Sequence, residues 1–428
     1  MTQVIRESWP LLLGVLLLMI GNGLQGTALG LRGAIEGYDA GTMAWVMSAY
    51  FAGVLLGSRL APPMIRRVGH VRVFAALASL VSAASILYAA LPNPILWALM
   101  RLLVGICFAG IYVVAESWLN DRATNETRGQ SLSVYLIVQM LGVIAAQGII
   151  NLADAGGYAL FVIMSVLVSI AFTPILLSAT PVPVFSTTKP MTLRALYRVS
   201  PLGIVGTLLL GGLFSALFGM SPVFATEIGL TVGETTMFVA TFYIGGVILQ
   251  FPLGWLSDRM DRRILIAGTT AFGVAALLAA APFLQQISTL LLVAFVVGGV
   301  TNPLYSLLIA YTNDFLEHDD MAAAAGGLVF AAGLGSMAGP LVVGWMMSAF
   351  GAYAYFLFIG ILMGIVAVYA TYRMTQRATP SDTSPYAPVG AQASTVAVTV
   401  SQSIEYEEEE EKTARDIGAV EERRDAAP

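Results

Sequence analysis

Twelve runs of about 20 mostly apolar residues, joined by short polar connections, constrain this chain more than any other feature. They cover approximately residues 9–31, 42–60, 73–91, 95–118, 130–150, 158–179, 201–224, 235–255, 264–283, 288–311, 322–349 and 353–373. Coiled as a helix at about 1.5 Å per residue, each run spans the hydrocarbon core of a bilayer. Barrel strands would instead alternate over about ten residues, and no such alternation is present. Charged residues are 11% of the chain, against about 25% in soluble domains, so too little polar surface exists to cover a water-soluble body. Lipid is the solvent for most of these residues. Arg6 precedes the first run as in a signal peptide, but the run is too long for a leader and no cleavage site follows, so it counts as the first span.

Charge sets the orientation. With the N-terminus inside, the inner connections hold Arg59, Arg66, Arg67, Arg72, Arg122, Arg128, Lys189, Arg194, Arg198, Arg259, Arg262 and Arg263, and the outer ones only Arg32. Positive charge stays on the cytoplasmic side of such proteins, so both termini are expected there, in a bacterial inner membrane. The acidic inner loop from Asn313 to Asp320 is compatible, because the rule counts basic residues and not net charge. Residues 1–377 carry a formal +2 and residues 378–428 a formal −7. A nearly neutral apolar body with an acidic tail argues against nucleic acid as the partner. Cys107 is the only cysteine, and His70 and His318 both fall in polar stretches, so no disulfide, metal site or cofactor is expected.

The longest polar gap, 181–200, divides the spans six and six. Sliding the chain by 192 residues places Tyr50-Phe51-Ala52-Gly53 on Phe242-Tyr243-Ile244-Gly245 and Arg66-Arg67-Val68-Gly69 on Asp258-Arg259-Met260-Asp261. A six-helix unit used twice marks a transporter whose halves rock about a site between them. The expected organisation is an all-α membrane protein: a six-helix bundle over 1–180, a cytoplasmic linker over 181–200, a second bundle over 201–377, and an acidic tail over 378–428. The tail is expected to be a disordered solvated extension, with a cytosolic partner as the alternative.

The stretch Gly254-Trp255-Leu256-Ser257-Asp258-Arg259-Met260-Asp261-Arg262-Arg263 resembles the inner-loop signature of the major facilitator superfamily, with Asp261 in place of its second glycine. The first-half copy keeps Arg67, Gly69 and Arg72 but has Pro62 for the leading glycine and Arg66 for the aspartate. Arg101-x-x-x-Gly105 and the run from Ala115-Glu116-Ser117 to Arg128-Gly129 also resemble that superfamily, most of all its YcaD-like permeases. The resemblance implies a twelve-helix major facilitator fold. It also implies a cytoplasmic gate, carried here onto Arg67, Gly69, Glu116, Arg128, Gly254, Asp258, Arg259, Arg262 and Arg263. Asp258 is placed to attract Arg262 or Arg263. The rival for these residues is ordinary basic-loop anchoring.

Arg101 lies deep in span four, and a charge there must face a wet cavity or a partner. A structural arginine and a solute contact are both open readings. No Asp or Glu falls mid-membrane, so a central proton relay is unsupported and the solute is expected to be neutral or anionic. Asn22, Gln25, Tyr112, Gln139, Tyr243, Asn302 and Tyr305 are further cavity candidates, each costly if turned to lipid, with helix–helix hydrogen bonding as the rival for every one. No nucleotide-binding loop or catalytic set is present. The expected protein is a secondary or facilitative transporter of a small solute and not an enzyme. A receptor or scaffold signalling through its tail is the alternative.

Overall fold

The computed structural model describes residues 2–176, 191–376, 386–390 and 393–402. Its helices are α1 (Thr2–Ile35), α2 (Ala40–Val68), α3 (His70–Ala90), α4 (Pro94–Arg122), α5 (Asn125–Ile150), α6 (Ala159–Ala171) and α7 (Thr173–Leu176) in the first half. A short α8 (Leu193–Val199) precedes α9 (Pro201–Ser215), α10 (Ser221–Glu227), α11 (Val232–Ser257), α12 (Arg262–Ala280), α13 (Ile287–Asn313), α14 (His318–Phe350) and α15 (Ala354–Gln376). Residues 395–402 form one further helix, α16. No strand occurs among the described residues.

Among the described residues, eleven helices are long and apolar enough to cross a membrane, one of them running from Pro201 to Glu227 through a π turn at Ala216–Met220. The sixth expected span is carried by the shorter α6, continued by α7. Large apolar side chains such as Trp45, Ile95, Leu278 and Val368 stay exposed on the outside, where lipid would cover them. The interhelical connections are short and capped: Asp39 accepts the Thr42 N–H at the start of α2, and Thr231 with Glu234 forms a capping box on α11.

The repeat read from the sequence is a repeat of packing. In each half the second and fourth spans form a close pair, α2 on α4 and α11 on α13. Likewise α1 packs on α5 as α9 does on α14, and α3 on α6 as α12 does on α15. Glycine makes the closest pair possible. A Cβ on Gly53 would land on the Leu102 carbonyl, and one on Gly245, its equivalent 192 residues later, would land on the Phe295 carbonyl.

The two halves meet on the side that holds the α1–α2, α5–α6 and α10–α11 connections. There the Ser48 hydroxyl donates to the Met337 carbonyl at 2.6 Å, the Ala40 N–H to Glu227 at 3.1 Å, and the Asn151 amide to Thr236 at 2.9 Å. On the opposite, Arg-rich side, the described C-terminal residues lie against α4 and α5 of one half and α11 and α13 of the other. This corrects the expectation of a wholly disordered tail. Ala387, Val389, Ala397, Val398, Ser401 and Gln402 are buried. The rest of the tail lies outside the described residues, as do 177–190 of the linker region.

Candidate functional site

A cavity of about 110 Å³ lies between the halves. Met19, Tyr50, Phe51 and Val54 of α1 and α2, and Leu136, Gln139, Met140 and Val143 of α5, line it from the first half. Phe214, Phe218, Tyr243, Asn302, Tyr305 and Ser336 face them from the second. The aromatic groups form two clusters: Phe218 sits 4.4 Å from Tyr243 and 5.4 Å from Phe214, while Tyr50 meets Phe51 edge-on at 5.3 Å. Phe218 belongs to the π turn, an irregularity common where a helix presents a side chain to a site. No charged side chain is among the lining residues.

Four of the eight expected cavity residues, Gln139, Tyr243, Asn302 and Tyr305, line this space. Asn302 also donates to the carbonyl of Gly298 at 2.9 Å, so part of its polarity is spent within α13. The other four form a layer behind the wall. Asn22 donates to the Tyr112 hydroxyl at 3.3 Å, and that hydroxyl reaches the Met19 sulfur at 3.8 Å. Arg101 is 3% exposed and donates to Gln25 Oε1 at 3.0 Å and to the Met47 sulfur at 3.5 Å. Its guanidinium carbon lies 4.5 Å from the centre of the Tyr50 ring, a cation–π contact. Tyr50 therefore carries Arg101 on its ring while also lining the cavity.

The expected gate residues separate into three groups. Arg67 is exposed at the end of α2, Gly69 turns the chain into α3 with φ of 84°, and Arg128 lies half-buried in the first turn of α5. Arg262 and Arg263 do not pair with Asp258. Arg262 meets Asp314, the Ala310 carbonyl at 3.0 Å and the Ser257 hydroxyl at 3.2 Å, whereas Arg263 pairs with Asp261 at 2.7 Å. The physical reason is that Asp261, standing where the signature has glycine, caps α12 through the Arg263 N–H and keeps that side chain local. Arg259 lies 4.1 Å over the Trp255 ring.

Glu116, Asp258 and Gly254 meet the C-terminal segment instead. The buried Glu116 carboxylate accepts from the Ser394 N–H at 3.0 Å, the Ala397 N–H at 3.3 Å, the Ser394 hydroxyl, and the Tyr135 hydroxyl at 3.3 Å. Asp258 accepts the Tyr386 N–H at 2.8 Å, and the Tyr386 ring packs on Gly254. Sequence reasoning passed over Ser306, which accepts the Val389 N–H at 2.9 Å and donates to the Val389 carbonyl at 3.1 Å. It also passed over Tyr50, Phe51, Phe214 and Phe218 of the aromatic wall, although the repeat had a signal for Phe51. Phe51 and Tyr243 are equivalent under the 192-residue shift, and both line the cavity.

The sequence model of the Major Facilitator Superfamily matches residues 11–238 and 203–404. An Escherichia fergusonii protein, uncharacterized MFS-type transporter YcaD, is 27% identical over 348 residues, covering 80% of this chain and 89% of its own. The Bacillus subtilis uncharacterized MFS-type transporter YfkF is 27% identical over 368 residues, 82% and 92% of the two chains. The crystal structure of the nucleoside transporter NupG, as a D323A mutant, superposes with a TM-score of 0.69 at 16% identity, covering 85% of this chain and 99% of that one. Both halves, their repeated packing and the cavity between them thus agree with one assignment: the chain is a multi-pass membrane protein that belongs to the major facilitator superfamily, a transporter and not an enzyme.

Proposed function

We propose that the protein carries a small, uncharged solute with an apolar or aromatic body across a bacterial inner membrane by alternating access, with both termini in the cytoplasm. The observation that supports this best is the cavity wall. Rings from both halves offer stacking surfaces worth about 0.5–1.5 kcal/mol each beyond burial. Gln139, Asn302 and Ser336 supply neutral polar groups for orientation. An anion would need a facing cation, and Arg101 is committed to Gln25, Met47 and Tyr50 behind the wall. That narrows the sequence expectation of a neutral or anionic solute to a neutral one.

The Arg-rich side is read as cytoplasmic from the distribution of basic residues. With the halves sealed on the other side by Ser48, Ala40 and Asn151, the conformation is then inward-facing. A second state would open that seal and close the cytoplasmic mouth. The receptor alternative gains nothing from the relatives, which carry transporter names.

The test is a thermal-shift screen of purified protein against nucleosides, sugars, amino acids, uncharged aromatic compounds and organic anions, followed by flux of the hits in proteoliposomes. Nucleosides are included because a base ring with hydroxyls suits such a wall. Stabilisation by uncharged ring-containing solutes is expected. Stabilisation by organic anions alone would overturn the reading.

A further inference from the structure

Residues 386–390 and 393–402 do more than pass near the helices. They fill the mouth of the cavity and touch both halves at once. Glu116 holds Ser394 and Ala397 from the first half, where Gly390 also packs on Leu136 and Gln139. From the second half, Gln250 donates to the Tyr386 hydroxyl at 2.6 Å, Ser306 clasps Val389, and Asn313 accepts the Gln402 amide at 2.8 Å. Gly390 and Ala393 reach the cavity wall itself.

We propose that the cytoplasmic mouth is a binding site for the chain's own C-terminal segment, which acts there as an internal plug. The plug blocks solute entry from the cytoplasm and wedges the halves apart, so it must leave before the transporter can change state. The inference rests on reading the cavity as the solute path, and adds a regulation to it.

Three features fit a built site. The segment is chemically suited to a dry slot: from Thr383 to Ile404 there is no Asp, Glu, Lys or Arg, although acidic residues stand on either side at Asp382 and Glu405. Its recognition is directional. The free N–H groups at the start of α16 point at the Glu116 carboxylate, the arrangement that satisfies a helix N-terminus and favours negative charge there. Finally, Glu116 depends on the segment. Three of its four described donors come from Ser394 and Ala397, so release would leave a buried carboxylate holding only Tyr135.

The test places cysteines at neighbouring points in the full chain, in a Cys107→Ala background and in inverted membrane vesicles. Leu136→Cys with Gly390→Cys should form a disulfide under mild oxidation, read as loss of free thiols, because a Cβ at 390 would lie 3.0 Å from the Leu136 side chain. Val398→Asp puts a charge at a fully buried tail position outside the bundles, and should slow that cross-link at least ~10-fold. Glu116→Gln should shift the bound-to-released ratio by about 10- to 100-fold, as expected for weakening charge-assisted hydrogen bonds.

The plug itself is read at Ser336→Cys in the cavity wall, with a membrane-impermeant maleimide applied from the cytoplasmic side. Val398→Asp should accelerate this labelling by about the same factor. Absence of the cross-link in the parent, a cross-link unchanged by Val398→Asp, or equal Ser336→Cys labelling with and without that change would each overturn the proposal. These readouts need no solute. A protein that passes them but shows no flux would contradict the transport reading alone.

Discussion

Asp314→Ala should destabilise the second bundle severely, and its size follows from what surrounds Arg262. The two side chains are 1% and 3% exposed, so their pairing takes place without water to screen it. Removing the carboxylate takes away the ion-pair partner, while the Ala310 carbonyl and the Ser257 hydroxyl remain among the described contacts of the guanidinium. Breaking a buried ion pair by removing one partner costs about 3–5 kcal/mol. If the second bundle unfolds as a unit, that lowers its melting temperature by roughly 10 °C at 2–4 °C per kcal/mol. The assay is thermal denaturation of detergent-purified protein, completed by a cycle with Arg262→Met. The double variant should be more stable than Asp314→Ala alone, because the buried charge is gone, giving a coupling of about 2–4 kcal/mol. A melt within 2 °C of the parent, taken as about 1 kcal/mol or less, would refute the idea that this pair is a fixed strut. So would a double variant as unstable as the sum of the singles.

Other substitutions probe packing and the cavity wall. Gly53→Leu and Gly245→Leu should each cost at least about 1–3 kcal/mol by forcing a helix pair apart, while Gly268→Ala, with open space at its Cβ, should be tolerated; size-exclusion profiles and melts will show it. Tyr243→Ala and Phe51→Ala should each weaken binding of an uncharged aromatic ligand about 2- to 10-fold in titration calorimetry, and no change in either would argue against stacking. Arg101→Lys keeps the charge but loses the planar fork that spans Gln25 and the Tyr50 ring. It should lower the melting temperature and leave the ranking of uncharged over anionic ligands intact, so an inverted ranking would count against the proposed wall.

Much of the architecture was legible because lipid imposes it. Long apolar runs and asymmetric basic loops specify spans and their order, and the shift that aligns Gly53 with Gly245 also aligns the helix pairs those glycines hold together. Individual side-chain partners were not legible. Whether Arg262 reaches Asp258 or Asp314 depends on how α12 and α13 cross, which no local pattern encodes. Half of the expected cavity residues stand one layer back, since a polar group inside a bundle can be satisfied by another helix as well as by a solute. The tail was read from its acidic character as a whole. The uncharged stretch within it, Thr383 to Ile404, was the signal that it could be buried.

The central claim is that two equivalent bundles stand side by side in the bilayer with matching ends on the same face. Cysteines at Arg67, Arg259 and Leu152, probed with an impermeant maleimide in right-side-out and inverted vesicles, test it directly, since all three positions are exposed. Arg67→Cys and Arg259→Cys should react only in inverted vesicles and Leu152→Cys only in right-side-out ones. Reaction of the first two from opposite faces would contradict the repeated fold and every inference about the cavity built on it.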